Sequence, residues 1–165
     1  MDIKRGEIKD IARIMDIIKA AIANMEAKKV YQWDDMYPNE MVIKNDIIKK
    51  NLYVYIDENI IKGIIVLNET QDGEYKKLKW KYSAKKQIII HRLCIDPQYQ
   101  GNGIAKKFLK YAEEYSMENN YGSIRLDAFT KNKTAYTMYE KLGYEKVGIV
   151  TFRKGDFYCF EKNLN

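Results

Sequence analysis

The stretch that most constrains this chain is 88–106, IIIHRLCIDPQYQGNGIAK. It opens on a run of β-branched and apolar residues, the signature of a buried strand. Asp96-Pro97 ends that strand, because proline brings no amide to a sheet ladder. Gln100-Gly101-Asn102-Gly103-Ile104-Ala105 follows and runs straight into AKKFLKYAEEYSMEN, whose apolar residues recur at helical spacing. Strand, glycine turn and helix in that order leave backbone amides unpaired at a helix N-terminus, where the macrodipole favours an anion. The glycines let the backbone approach a phosphate with no Cβ in the way. The stretch reads as a pyrophosphate cradle.

Two familiar phosphate motifs fit it poorly. A P-loop needs serine or threonine after its lysine, and here Lys106 is followed by Lys107. A dinucleotide fingerprint needs a third small residue where this chain has Lys106, and an acid ending the next strand of an early βαβ unit. The pattern Gln/Arg-x-x-Gly-x-Gly/Ala does fit, through Gln100, Gly103 and Ala105. Downstream, Asn132, Ala135, Tyr139, Gly143 and Tyr144 form an Asn, an Ala three residues on, a Tyr four later, then Gly and an aromatic. In both patterns the chain resembles the GNAT superfamily of acetyl-CoA-dependent N-acetyltransferases, over roughly its second half and in the right order.

The resemblance implies a single GNAT-type domain over residues 1–165. The fold would be α/β, a mixed, mostly antiparallel sheet of about seven strands flanked by about four helices and splayed at the cofactor. It implies that acetyl-CoA lays its pyrophosphate on the amides of Gln100, Gly101, Asn102, Gly103, Ile104 and Ala105, with Lys106 within reach of its phosphates. The pantetheine arm would run along Leu93, Cys94 and Ile95, and an amide near Leu93 or Cys94 would stabilise the developing oxyanion. An amine would attack directly in a ternary complex. Tyr139 stands at the family's general-acid position, and Asn132 matches the residue that hydrogen-bonds the pantetheine arm. Members of the superfamily often form homodimers, an expectation carried over by analogy.

The general base stays open. His91, the sole histidine, titrates in the useful range. Strict alternation along 87–95 would put it on one face with Ile89, Leu93 and Ile95, leaving Arg92 and Cys94 on the other. Some relatives use a base at this position, others a glutamate or a water chain. Asp127, on one strand face with Arg125, is the second candidate and is also a candidate acceptor contact.

The first half supplies scaffold. Residues 2–5 suit a short strand. Ile8, Ile11, Ile14, Met15, Ile18, Ile22 and Met25 recur at helical spacing, and a second helix spans 39–49 with Asn39 as its N-cap. Between them lies Tyr31-Gln32-Trp33-Asp34-Asp35-Met36-Tyr37-Pro38. Its aromatics either cap the core or, with Trp33 and Tyr37 as contacts, line an acceptor pocket that holds an amine by carboxylate attraction and cation–π contact. Strands follow at 52–56 and 61–67 around Asp57-Glu58-Asn59. The polar segment 71–86 reads as a loop or irregular hairpin extension. A strand at 123–129 and two more at 145–151 and 157–162, around Lys154-Gly155, complete the chain.

Composition excludes more than it assigns. With 165 residues, 46% hydrophobic and 32% charged, the chain can bury a full core. Its net charge of +6 comes from lysines scattered among acids. That pattern suits a solvated surface or attraction of polyanionic coenzyme A, and no nucleic-acid motif accompanies it. No apolar run approaches a membrane span, and the N-terminus lacks a signal-peptide core, so a cytoplasmic setting is expected. Cys94 and Cys159 have no metal-ligand spacing and read as buried thiols. The expected function is transfer of an acetyl group to a primary amine on a small molecule. The alternatives are a protein N-terminus or lysine as acceptor, or a CoA-binding module without turnover.

Overall fold

The computed structural model describes residues 2–165. Among them are seven strands, β1 Asp2–Arg5, β2 Leu52–Asp57, β3 Ile60–Asn68, β4 Gln87–Ile95, β5 Ser123–Phe129, β6 Glu145–Phe152 and β7 Gly155–Asn163. Four α-helices accompany them, α1 Ile11–Ala27, α2 Glu40–Ile48, α3 Ile104–Glu118 and α4 Lys133–Lys141. The strands order as β1-β2-β3-β4-β5-β7-β6 in one sheet. Of the registered pairings, β4 with β5 is parallel and the rest are antiparallel. The parallel pair is the one joined through the glycine turn and α3, because only a crossover can return a strand in the same direction. Among the described residues no helix is long and apolar enough to cross a membrane.

The chain divides into two compact units, one running to Leu67 and including Arg92–Tyr111, the other made of Asn68–His91 and Ala112–Asn165. In the first, the helical spacing of α1 puts Ile14, Ile17, Ile18 and Ala21 on one stripe. That stripe packs with Ile43 and Ile47 of α2, Leu52 and Val54 of β2, and Ile61, Ile64 and Val66 of β3. Burying each such isoleucine contributes about 1.5–3 kcal/mol. On β2 the residues Leu52, Tyr53, Val54 and Tyr55 are all buried, so the strand is covered on both faces. Tyr53 leans on Tyr111 and Tyr55 meets Phe108 edge-on. The start of α2 is fixed as expected, since Asn39 Oδ1 accepts from the Val42 amide at 3.0 Å. Glu58 and Asn59 both take positive φ, which makes the tight β2–β3 hairpin turn.

In the second unit β5 pairs with β7 along its whole length, from Ser123↔Asn163 to Phe129↔Phe157, and β6 adds to the far side of β7. The segment 71–86 is more ordered than its polarity implies. It contains a 3₁₀ turn at Gly73–Lys77 that buries Tyr75, and Trp80 Nε1–H donates to the Tyr75 carbonyl at 2.8 Å. The Lys81 and Tyr82 amides donate to the fully buried Glu161 carboxylate on β7. These ties cross some 80 residues of sequence, which is why no local pattern announces them.

Candidate active site

The cradle lies in the first unit and is built as its sequence implies. Asp96 ends β4, its Oδ1 accepting from the Gln98 amide, while Arg13 of α1 reaches both Asp96 and the Ile61 carbonyl. Gln100 folds back, Nε2 donating to the Ile95 carbonyl at 3.2 Å, and Asn102 Nδ2 donates to the Tyr99 carbonyl. Gly101 and Gly103 take φ of +82° and +75°, and a Cβ built on either would meet nothing within 4 Å. Glycine is therefore required by backbone conformation, and the space above it is open. The Lys107 amide is bonded to the Gly103 carbonyl at 3.1 Å, the first i to i−4 bond of α3. The Ile104, Ala105 and Lys106 amides precede it and by helix geometry have no acceptor within the helix. An open, glycine-floored turn of free-facing amides at a 15-residue helix fits a pyrophosphate. Lys107, beside this turn, is engaged with Tyr55 through its hydroxyl at 3.1 Å.

Upstream, the expected alternation along β4 does not hold. Ile88, Ile89 and Ile90 are all buried, and Arg92 takes φ +48°. A left-handed residue inside a strand makes a bulge, so a two-residue period cannot be carried from His91 across to Leu93. For an L-residue with a Cβ that conformation costs about 1–2 kcal/mol. All of the Arg92 guanidinium nitrogens are engaged. Nε and Nη2 donate to the two Asp46 oxygens, both at 2.8 Å, and Nη1 donates to Tyr37 Oη at 2.6 Å. The pair is buried, and burial pushes the Asp46 carboxyl up while the Arg92 charge opposes the rise. Cys94, just beyond, sits in the core with α1 and α2, its thiol pushed up to about 12 by burial.

Trp33 packs in the same core and is only 9% exposed. Tyr37 is partly exposed, and its loop is turned by Asp34 Oδ1, which accepts from the Met36 and Tyr37 amides.

In the second unit the register shared by β4 and β5 covers Gln87↔Ser123, Ile88↔Ile124 and Ile89↔Arg125 and stops there, while β5 continues on β7 to Phe129. Asp127 lies on this continuing part. Tyr75 Oη donates to its Oδ2 at 2.6 Å, and burial pushes the carboxyl up to about 6. Tyr139, on α4, is buried against Phe160 and Tyr144. Burial and then the nearby Asp127 charge raise its phenol above the ordinary range, so the hydroxyl keeps its proton. Asn132 is the N-cap of α4, Oδ1 accepting from the Ala135 amide at 3.2 Å. His91 Nε2 lies 3.0 Å from Asn68 Oδ1 and 3.1 Å from the Thr70 carbonyl. Both partners are acceptors, so that nitrogen carries a hydrogen. Arg125 does not pair with Asp127. Its guanidinium donates to Gln71 and Ser83 and lies over the Trp80 ring.

Sequence reasoning missed Tyr75, Arg92 and Asp46. For Tyr75 and Arg92 no local signal existed. Asp46 had one, an acid placed among the buried positions Ile43 and Ile47 of α2.

The acetyltransferase (GNAT) family profile matches residues 15–144, and the chain belongs to that family, whose donor is acetyl-CoA. A crystal structure of a GNAT-family acetyltransferase from Streptococcus agalactiae 2603 superposes with TM-score 0.86 and 25% identity, covering 98% of this chain and 94% of that one. An uncharacterized N-acetyltransferase of Bacillus subtilis (strain 168) is 22% identical over 81% of this chain and 73% of its own length. The N-acetylaspartate synthetase of Xenopus tropicalis is 38% identical over 38% of this chain, which spans only 23% of that relative's length.

Proposed function

We propose that residues 1–165 act as one N-acetyltransferase domain, moving an acetyl group from acetyl-CoA to a primary amine on a small molecule. The observation that carries this reading is the cradle, whose open glycine floor and α3 N-terminal amides, without acceptors within the helix, suit a pyrophosphate. When bound, acetyl-CoA supplies an acetyl group already activated as a thioester.

The chain's own residues do the rest. Amides of Gly101, Asn102, Gly103, Ile104, Ala105 and Lys106 hold the phosphates, and the backbone of Leu93, Cys94 and Ile95 guides the pantetheine arm. Asn132 orders the start of α4, from which Tyr139 donates a proton to the departing thiolate. Asp127, with its carboxyl near pH 6, takes the proton from the acceptor ammonium, a role its value suits better than an ordinary carboxylate would. Both thiols are buried and raised, so neither supplies a thiolate to carry the acetyl group covalently. Asp34, Asp35 and the partly exposed Tyr37 give the 31–38 loop the acidic, aromatic character that attracts a compact cation.

The test is release of free CoA thiol from acetyl-CoA with polyamines, amino acids, aminoglycosides and peptides as acceptors. Release with small cationic amines supports the reading. Release with peptides alone makes the protein a polypeptide acetyltransferase, and saturable acetyl-CoA binding with no release makes it a binding module.

A further inference from the structure

Arg92 combines three features that packing alone does not account for. It takes a left-handed backbone conformation in the middle of β4, in a bulge position that glycine ordinarily fills. Its side chain is 11% exposed, and that of its partner Asp46 is 6% exposed, although charged pairs are costly to bury. Finally, every guanidinium nitrogen is committed, two to Asp46 on α2 and one to Tyr37 in the 31–38 loop.

We propose that Arg92 is a positioning residue: its pair with Asp46, closed by Tyr37, holds the β4 bulge that aims the next backbone amides at the carbonyl of the bound acetyl group. The inference rests on the acetyl-CoA reading above. A left-handed residue turns the following peptide plane out of the strand's ladder, and the peptide that follows Arg92 carries the Leu93 amide. A bidentate guanidinium–carboxylate fork fixes direction as well as distance, which a lysine or a single hydrogen bond does not. Asp46 is itself anchored, since Ile43 and Ile47 on either side of it belong to the core. The bulge is thereby tied to the rigid α2. Tyr37 adds a link to the loop proposed to receive the acceptor, and its ring also lies 5.8 Å from the guanidinium carbon.

The test uses acetyl-CoA labelled with ¹³C at the thioester carbonyl, whose chemical shift reads hydrogen bonding to that oxygen. Binding of unlabelled CoA and the melting temperature are measured alongside. The wild type is expected to move the carbonyl signal away from its position in free acetyl-CoA. Arg92→Ala and Asp46→Asn return it most of the way, Tyr37→Phe returns it in part, and all three still bind CoA. Arg92→Gly, which adopts the left-handed conformation without help, keeps the shift. If Arg92→Ala does not fold, Tyr37→Phe and Arg92→Gly still decide the matter. A wild-type carbonyl signal that binding leaves in place overturns the proposal. So do variants that lose melting temperature while their bound carbonyl keeps the wild-type shift, the pattern of a purely structural pair. A wild type that binds neither CoA nor acetyl-CoA refutes the functional reading itself.

Discussion

Folding carries the Asp127 carboxyl from its ordinary value of 3.8 up to about 6, chiefly by burial, with the Tyr75 hydrogen bond opposing the rise and the Asp72 charge adding to it. Below about pH 4 the folded and unfolded chains both hold this proton. Between about pH 4 and pH 6 the folded chain keeps it and the unfolded chain has lost it, so stability falls as pH rises through that window. About two pH units at 1.36 kcal/mol each amount to about 3 kcal/mol, all of it set against the folded state above about pH 7. Asp127→Asn removes the titration, and its side-chain carbonyl still accepts from Tyr75. Urea unfolding of both proteins at about pH 4 and about pH 7.5 measures the effect, because every other titrating group is common to both. The wild type should lose about 3 kcal/mol more than the variant over that interval. In kcat/KM against pH, the limb near pH 6 should be present in the wild type and absent from the variant. Stability curves that run parallel, or a variant that loses more than the wild type, would refute the reasoning.

Tyr139→Phe should lower turnover by about 100-fold with acetyl-CoA affinity unchanged in calorimetry, because it removes a proton donor and keeps the packing on Phe160. Gly103→Ala forces a Cβ into a left-handed turn and into the open space of the cradle; it should cost about 1–2 kcal/mol in urea melts and weaken acetyl-CoA binding by about tenfold or more. Trp33→Ala empties a core position and should cost about 3–5 kcal/mol of stability, read by the same melts. A fully stable Trp33→Ala protein with a raised acceptor KM would instead make the indole an acceptor contact.

What the sequence carried well was local. The β4 boundaries, the glycine turn, the Asn39 cap and the β2–β3 turn each rest on a few neighbouring residues whose backbone preference is strong. The bulge at Arg92 was hidden because nothing in its neighbours marks a left-handed arginine; its side-chain partners, Asp46 and Tyr37, lie 46 and 55 residues away. The alternation expected for β4 failed for that reason. The segment 71–86 looked like a loop because its order comes from Glu161 and from Tyr75 meeting Asp127, partners that only the folded sheet supplies. The 31–38 loop was legible as unusual but not as divided, with Trp33 in the core and Tyr37 partly exposed on the buried ion pair.

Thermal unfolding with acetyl-CoA, beside NAD and ATP, tests the central claim most directly. A ligand that binds only the folded protein at 100 times its Kd adds about 2.7 kcal/mol, which for a chain of this size raises Tm by roughly 5–10 °C. A rise of that size with acetyl-CoA alone is the predicted result. No rise at saturating acetyl-CoA, or a rise with NAD or ATP in its place, would contradict the assignment of the cradle.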